Sequence, residues 1–105
     1  YYQGFLSAMF ACAGDAIANF HANAEAGTGF ADILFTSPDQ EVGVVIEIKR
    51  CDRREEMPEQ ARRALTQIQR KEYAQGLEDY ACAERYAYGI AFCNKSCVVL
   101  CEKIE

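Results

Sequence analysis

Phe30-Ala31-Asp32-Ile33-Leu34-Phe35, a short turn, and then Val45-Ile46-Glu47-Ile48-Lys49-Arg50 form the stretch on which the reading of this chain turns. Phe30 to Thr36 has the aromatic and β-branched content of a strand. Ser37-Pro38-Asp39-Gln40 reads as a turn, because Pro presets φ and Ser and Asp bond to nearby backbone. Val42 to Lys49 is too apolar to keep one face in water and predicts a central strand covered on both sides. Two acids and a lysine therefore stand inside apolar strands. Burying such a carboxylate costs several kcal/mol unless a partner or a cation compensates.

A turn centred near residues 39 and 40 sets Asp32 opposite Glu47 across two antiparallel strands. Directly opposed residues hold their Cβ atoms ~5 Å apart, close enough for two carboxylates to share one divalent ion. Lys49 follows Glu47 by two residues and projects from the same face. Pro38-Asp39 is a rival as the chain's literal Pro-Asp dipeptide ahead of Glu47-Ile48-Lys49. Asp39, however, is separated from Glu47 by most of a strand that rises ~3.3 Å per residue, roughly 25 Å in all. It is read as turn chemistry.

Working outward, Phe5, Leu6, Met9, Phe10 and Ala13 recur at helical spacing and predict an amphipathic helix over 3–13. Asp15 to Glu25 alternates, with Ala16, Ala18, Phe20, Ala22 and Ala24 on one face, and predicts a half-buried strand. Gly27-Thr28-Gly29 supplies a tight turn before Phe30. Downstream, Cys51 to Met57 is a charged connection, and Pro58 opens a helix to about Gln75 with Ala61, Ala64, Leu65 and Ile68 as its inward stripe. Tyr86 to Cys93, a turn at Asn94-Lys95-Ser96 and a strand from Cys97 to about Glu102 complete the order α-β-β-β-α-β-β. The expectation is one α/β domain with a mixed central sheet flanked by helices.

The 105 residues leave room for a single core. The chain begins at Tyr1 with an apolar helical run directly behind it, so it is expected to be a piece excised from a longer protein. The run from Phe5 to Ala13 is about half the ~20 residues a membrane span needs, and no membrane role is expected. The six cysteines lie mostly in apolar runs and match neither zinc-ribbon nor redox spacing. They are expected to be buried, reduced thiols in a cytoplasmic protein. The net charge of −5 argues against a polyanion partner, yet between Lys49 and Lys71 eight basic residues face only four acids. Taken alone, that segment reads as a solvated helix face laced with pairs such as Glu59 with Arg63. His21 is the one histidine, and it is read as a surface or hydrogen-bonded strand residue and not as part of a Ser-His-Asp set. Tyr73, Tyr86 and Tyr88 could stack on bases, but core packing is the favoured use.

The order helix, strand, strand with Asp, strand with E-x-K and helix with Gln resembles the PD-(D/E)XK nuclease superfamily, in particular the small C-terminal nuclease-like domain of bacterial AAA-ATPase-like proteins. The resemblance is carried by Tyr2-Gln3-Gly4-Phe5-Leu6, by Glu25-Ala26-Gly27-Thr28-Gly29-Phe30-Ala31-Asp32 and by Ile46 to Lys49. Ala64 to Ile68, Lys71 to Tyr73 and Tyr88 to Cys93 add to it. It implies a restriction-endonuclease-like core and an Mg2+- or Mn2+-dependent nuclease, endo- or exonucleolytic. Its substrate would be nucleic acid, with DNA favoured over RNA. It implies that Asp32 and Glu47 bind the metal, that Lys49 orients water and stabilises developing charge, and that Gln67 supports the site or contacts substrate. Arg50, Arg53, Lys71 and Tyr73 are assigned to nucleic-acid contact. Two departures are visible: Phe30 stands where an Arg is common, and the first helix has no acid before Asp15, so Glu25 is taken as the substitute ligand. The other readings are a nuclease-like domain that binds nucleic acid or a partner protein without cutting, and a dimerisation or regulatory module for an upstream AAA-ATPase-like domain.

Overall fold

The run expected to be covered on both faces is the middle strand of a five-stranded sheet. The computed structural model describes residues 16–26, 29–70 and 82–104. These form β1 (Ala18–Ala26), β2 (Gly29–Thr36), β3 (Val42–Arg50), a single 3-10 turn (Arg54–Glu56), α1 (Met57–Arg70), β4 (Glu84–Cys93) and β5 (Ser96–Ile104). The strands lie side by side in chain order. β3 and β4 run parallel, and every other neighbouring pair is antiparallel. This is an α/β fold with a mixed sheet and, among the described residues, one α-helix, consistent with a restriction-endonuclease-like core. The helix expected over 3–13, the turn residues 27 and 28, and the expected continuation of the second helix to Gln75 lie outside the described residues.

A parallel pair cannot be closed by a hairpin, so the chain between β3 and β4 must cross over, and α1 belongs to that crossover. Ala61, Ala64, Leu65 and Ile68 are buried as the expected inward stripe. Leu65 and Ile68 join Leu34, Val45 and Ala87 in one cluster, so α1 lies on the face of the sheet to which these three belong. Burying each of the two large side chains contributes about 1.5–3 kcal/mol. The alternate residues Ile33, Val44, Ile46 and Ile90 form a second cluster, against which Phe20, Phe35, Ile48, Tyr88 and Phe92 pack. Tyr88 thus serves core packing.

β2 and β3 pair as Ile33 with Ile46, Leu34 with Val45, Phe35 with Val44 and Thr36 with Gly43, the register of a turn centred on residues 39 and 40. In that turn the Ser37 amide donates to the Val42 carbonyl at 2.8 Å, and the Gln40 amide donates to the Ser37 carbonyl at 2.9 Å.

Two expectations need correction. The uniform alternation from Asp15 to Glu25 fails, because β1 carries an irregularity between Ala18, paired with Thr36, and His21, paired with Leu34. Asn19 takes up the extra residue at φ 54°, a left-handed conformation Asn tolerates, and its side-chain amide donates to the buried Thr36 hydroxyl at 3.0 Å. Nor are the cysteines uniformly buried. The five described are free, but only Cys51 and Cys93 are buried, whereas Cys97 and Cys101 are exposed. β5 is the last strand of the sheet and buries alternate residues only partly, and both cysteines fall on its open positions.

Candidate active site

Glu47 follows the apolar run of β3 and is only 6 % exposed. Its parity is that of Val45, which faces α1, and Lys49 continues the same row. Across from them, α1 presents Gln67 just beside its inward stripe. The Gln67 side-chain N–H donates to Glu47 Oε1 at 3.1 Å, and Gln67 Oε1 accepts from the Lys49 ammonium at 2.5 Å. An amide carries both a donor and an acceptor, so one side chain can serve a carboxylate and an ammonium at once. Three of the four residues expected to carry catalysis are joined in this way, across 18 and 20 positions of sequence.

Asp32 stands one residue out from Ile33, whose partner Ile46 directly precedes Glu47. The side chains of Asp32 and Glu25, and the residues Lys71 and Tyr73, lie outside what is described. Among the described residues no group of three or more His, Cys, Asp and Glu side chains is placed to hold a metal ion.

The arginines divide. Arg50 is exposed and has the strand parity opposite to Lys49. Arg53 is exposed, with its guanidinium 3.9 Å from Glu55 and 3.7 Å from Glu56. On α1, Arg62 pairs with Glu102 at 2.6 Å and Arg63 with Glu59 at 3.3 Å, the solvated, paired face foreseen for this basic segment. Asp39 is bound into its turn: Oδ1 accepts from the Ser37 hydroxyl at 2.6 Å and from the Glu41 amide at 3.0 Å. The Ser37 contact first, and the Glu41 amide second, hold its carboxyl below the usual carboxylate range. The Pro-Asp dipeptide is turn chemistry.

Sequence reading passed over Gly89, which is the β4 partner of Glu47. A glycine inside a strand signals a bulge or a close approach of another backbone, and here α1 makes that approach.

A family model described as the PD-(D/E)XK nuclease superfamily matches residues 1–102. The chain belongs to the PD-(D/E)XK nuclease superfamily. Among curated proteins and among solved structures, no match to it was found. Membership points to a nuclease-type function and a nucleic-acid substrate class, and PD-(D/E)XK nucleases typically use divalent metals. No helix of the described residues is long and apolar enough to cross a membrane.

Proposed function

We propose that this chain is a metal-dependent nuclease that hydrolyses phosphodiester bonds of DNA, with RNA as the second substrate class. The observation that carries the reading is the Gln67 amide bridging buried Glu47 and Lys49, which gathers a hard oxygen donor and a cation on one sheet face. A carboxylate so placed, with Asp32 one residue beyond the pair Ile33 and Ile46, suits Mg2+ or Mn2+, which prefer oxygen ligands. Asp32 and Glu47 would hold the ion, with Glu25 as a further ligand. When bound, the ion supplies Lewis-acid polarisation of the scissile phosphate and an acidified water.

The chain's own groups do the rest. Gln67 fixes the rotamer of Glu47 through its N–H, so the carboxylate need not reorganise on binding. The Lys49 ammonium has three donors and spends one on Gln67, which leaves positive charge to set beside the phosphate as negative charge develops. Arg50 and Arg53, exposed on the strand end and the loop beyond it, would contact the nucleic-acid backbone, and Lys71 and Tyr73 are proposed for the same contact. The Arg53 ion pairs are surface pairs, worth little, and a phosphate can replace them. The setting proposed is cytoplasmic, behind an upstream AAA-ATPase-like domain, with a homodimer compatible with this arrangement.

The test is incubation with plasmid, single-stranded DNA and RNA in Mn2+. Cleavage by the parent chain, abolished in Asp32→Ala and reduced about 10²–10³-fold in Lys49→Ala, is the expected result. Equal cutting by both variants would expose a contaminant and sink the assignment. A second reading, binding without cleavage, is favoured by Phe30 in place of the Arg common in the family and by the absence of an acid before Asp15. Retained nucleic-acid affinity with no cutting in Mg2+ or Mn2+, and no calorimetric uptake of either ion, would select it.

A further inference from the structure

Gly89 lies in β4 directly beside Glu47, and a Cβ built on it would collide with the Ala61 carbonyl oxygen of α1. The same Cβ would stand 3.0 Å from the Leu65 amide nitrogen and 3.1 Å from the Ala64 Cβ. Two of these three neighbours are helix backbone and the third is a Cβ, so none can turn aside as the end of a long side chain could. The backbone of Gly89 is outside the left-handed region, so the missing side chain is required by space alone. On either side of it Ala87 and Ala91 are fully buried, and the helix wall opposite is Ala61 and Ala64, also fully buried. α1 and β4 therefore meet almost backbone to backbone at the level of the proposed site.

Gln67 rides on the same helix two residues beyond Leu65, and its hydrogen bonds to Glu47 and Lys49 span 3.1 and 2.5 Å. Hydrogen bonds of this kind weaken once the heavy atoms part by much more than about 3.2 Å. A displacement of α1 large enough to admit one methyl group would carry Gln67 out of reach of both partners.

We propose that Gly89 is a positioning residue, which by letting α1 seat against β4 beside Glu47 sets the reach of Gln67 and so the spacing of Glu47 and Lys49. The activity arm of its test rests on the nuclease reading above, and the structural arm does not. In Gly89→Ala, with the full chain folded by circular dichroism and unfolding cooperatively, the Gln67 side-chain amide protons should exchange with solvent at least about tenfold faster than in the parent. That size corresponds to losing a hydrogen bond worth about 1.4 kcal/mol. The Gln67→Ala variant identifies the resonance. Unchanged exchange in a folded Gly89→Ala would overturn the proposal.

Should Gly89→Ala fail to fold, Ala64→Ser adds one atom to the opposite wall of the same contact. The same change of exchange supports the proposal there, and none overturns it. In the activity arm, Gly89→Ala lowers kcat on the order of 10²-fold with KM for DNA held within a few-fold, as expected for a misplacement near 1 Å. In a Gln67→Ala background the further loss should vanish, because the two changes act through one contact. Full additivity of the two losses would assign Gly89 to general stability instead. A parent chain that cuts nothing would remove the nuclease reading while leaving the amide-exchange result to decide the role of Gly89.

Discussion

The turn before β3 and the strand toward its far end each carry a hydrogen-bonded carboxylate, and the two are built on opposite principles. At the entry, Asp39 is exposed and bonds to groups two residues away on either side, the Ser37 hydroxyl and the Glu41 amide. Toward the exit, Glu47 is buried and bonds to a helix side chain 20 positions distant. The first arrangement is local, solvated and cheap to make, and it shapes a turn. The second needs the sheet register, the crossover and the helix seat all in place before it exists. The second end is the one proposed for chemistry, because a buried, hydrogen-bonded carboxylate is preorganised, while an exposed one is already well served by water.

The comparison breaks most severely if the helix seat is removed. Leu65→Ala should destabilise the chain by about 2–5 kcal/mol in urea or thermal unfolding, because its side chain is 2 % exposed and is central to the packing of α1 on the sheet. Preserved stability would mean that α1 is not anchored there.

Next in size, Lys49→Ala should reduce DNA cleavage by about 10²–10³-fold with little change in the thermal midpoint, as read from single-turnover kinetics. A comparable loss from a variant at Asp39 would instead move the chemistry to the turn.

Gln67→Ala should cost about 10–100-fold in kcat, equivalent to about 1.5–3 kcal/mol for hydrogen bonds to charged groups. Loss of substrate binding without loss of kcat would make Gln67 a substrate contact instead of a support for Glu47 and Lys49.

The smallest effect belongs to the entry turn. Asp39→Asn should leave cleavage unchanged and lower stability slightly at neutral pH. The Asp39 carboxyl titrates below its ordinary value in the folded chain, so its contribution is complete above the unfolded pKa of 3.8. That contribution is lost as pH falls through the lower folded value, and the stability gap between parent and variant should close in acid. A gap that widens in acid would reverse the assigned sign.

Much of this was legible beforehand. The turn at Ser37 to Gln40 and the covered run of β3 predicted the register that pairs Ile33 with Ile46, because a turn's centre determines every pair that follows it. The buried stripe of α1 was equally plain from spacing, since a repeat near 3.6 residues marks one helix face. The irregularity at Asn19 was not legible, because the alanine-rich alternation around it carries no mark of an extra residue. The exposure of Cys97 and Cys101 was hidden too, since an apolar run does not say that its strand stands at the end of a sheet.

Local pattern by itself determined the strands, the turn, the helix stripe and the candidates Glu47 and Lys49, because each depends on neighbours close along the chain. Only the tertiary structure decided that Gln67 spans those two side chains, that Arg62 spends its charge on Glu102, and that Gly89 must lack a side chain. The reason is reach: these relations are set by how far α1 stands from the sheet, a distance no short stretch of sequence encodes.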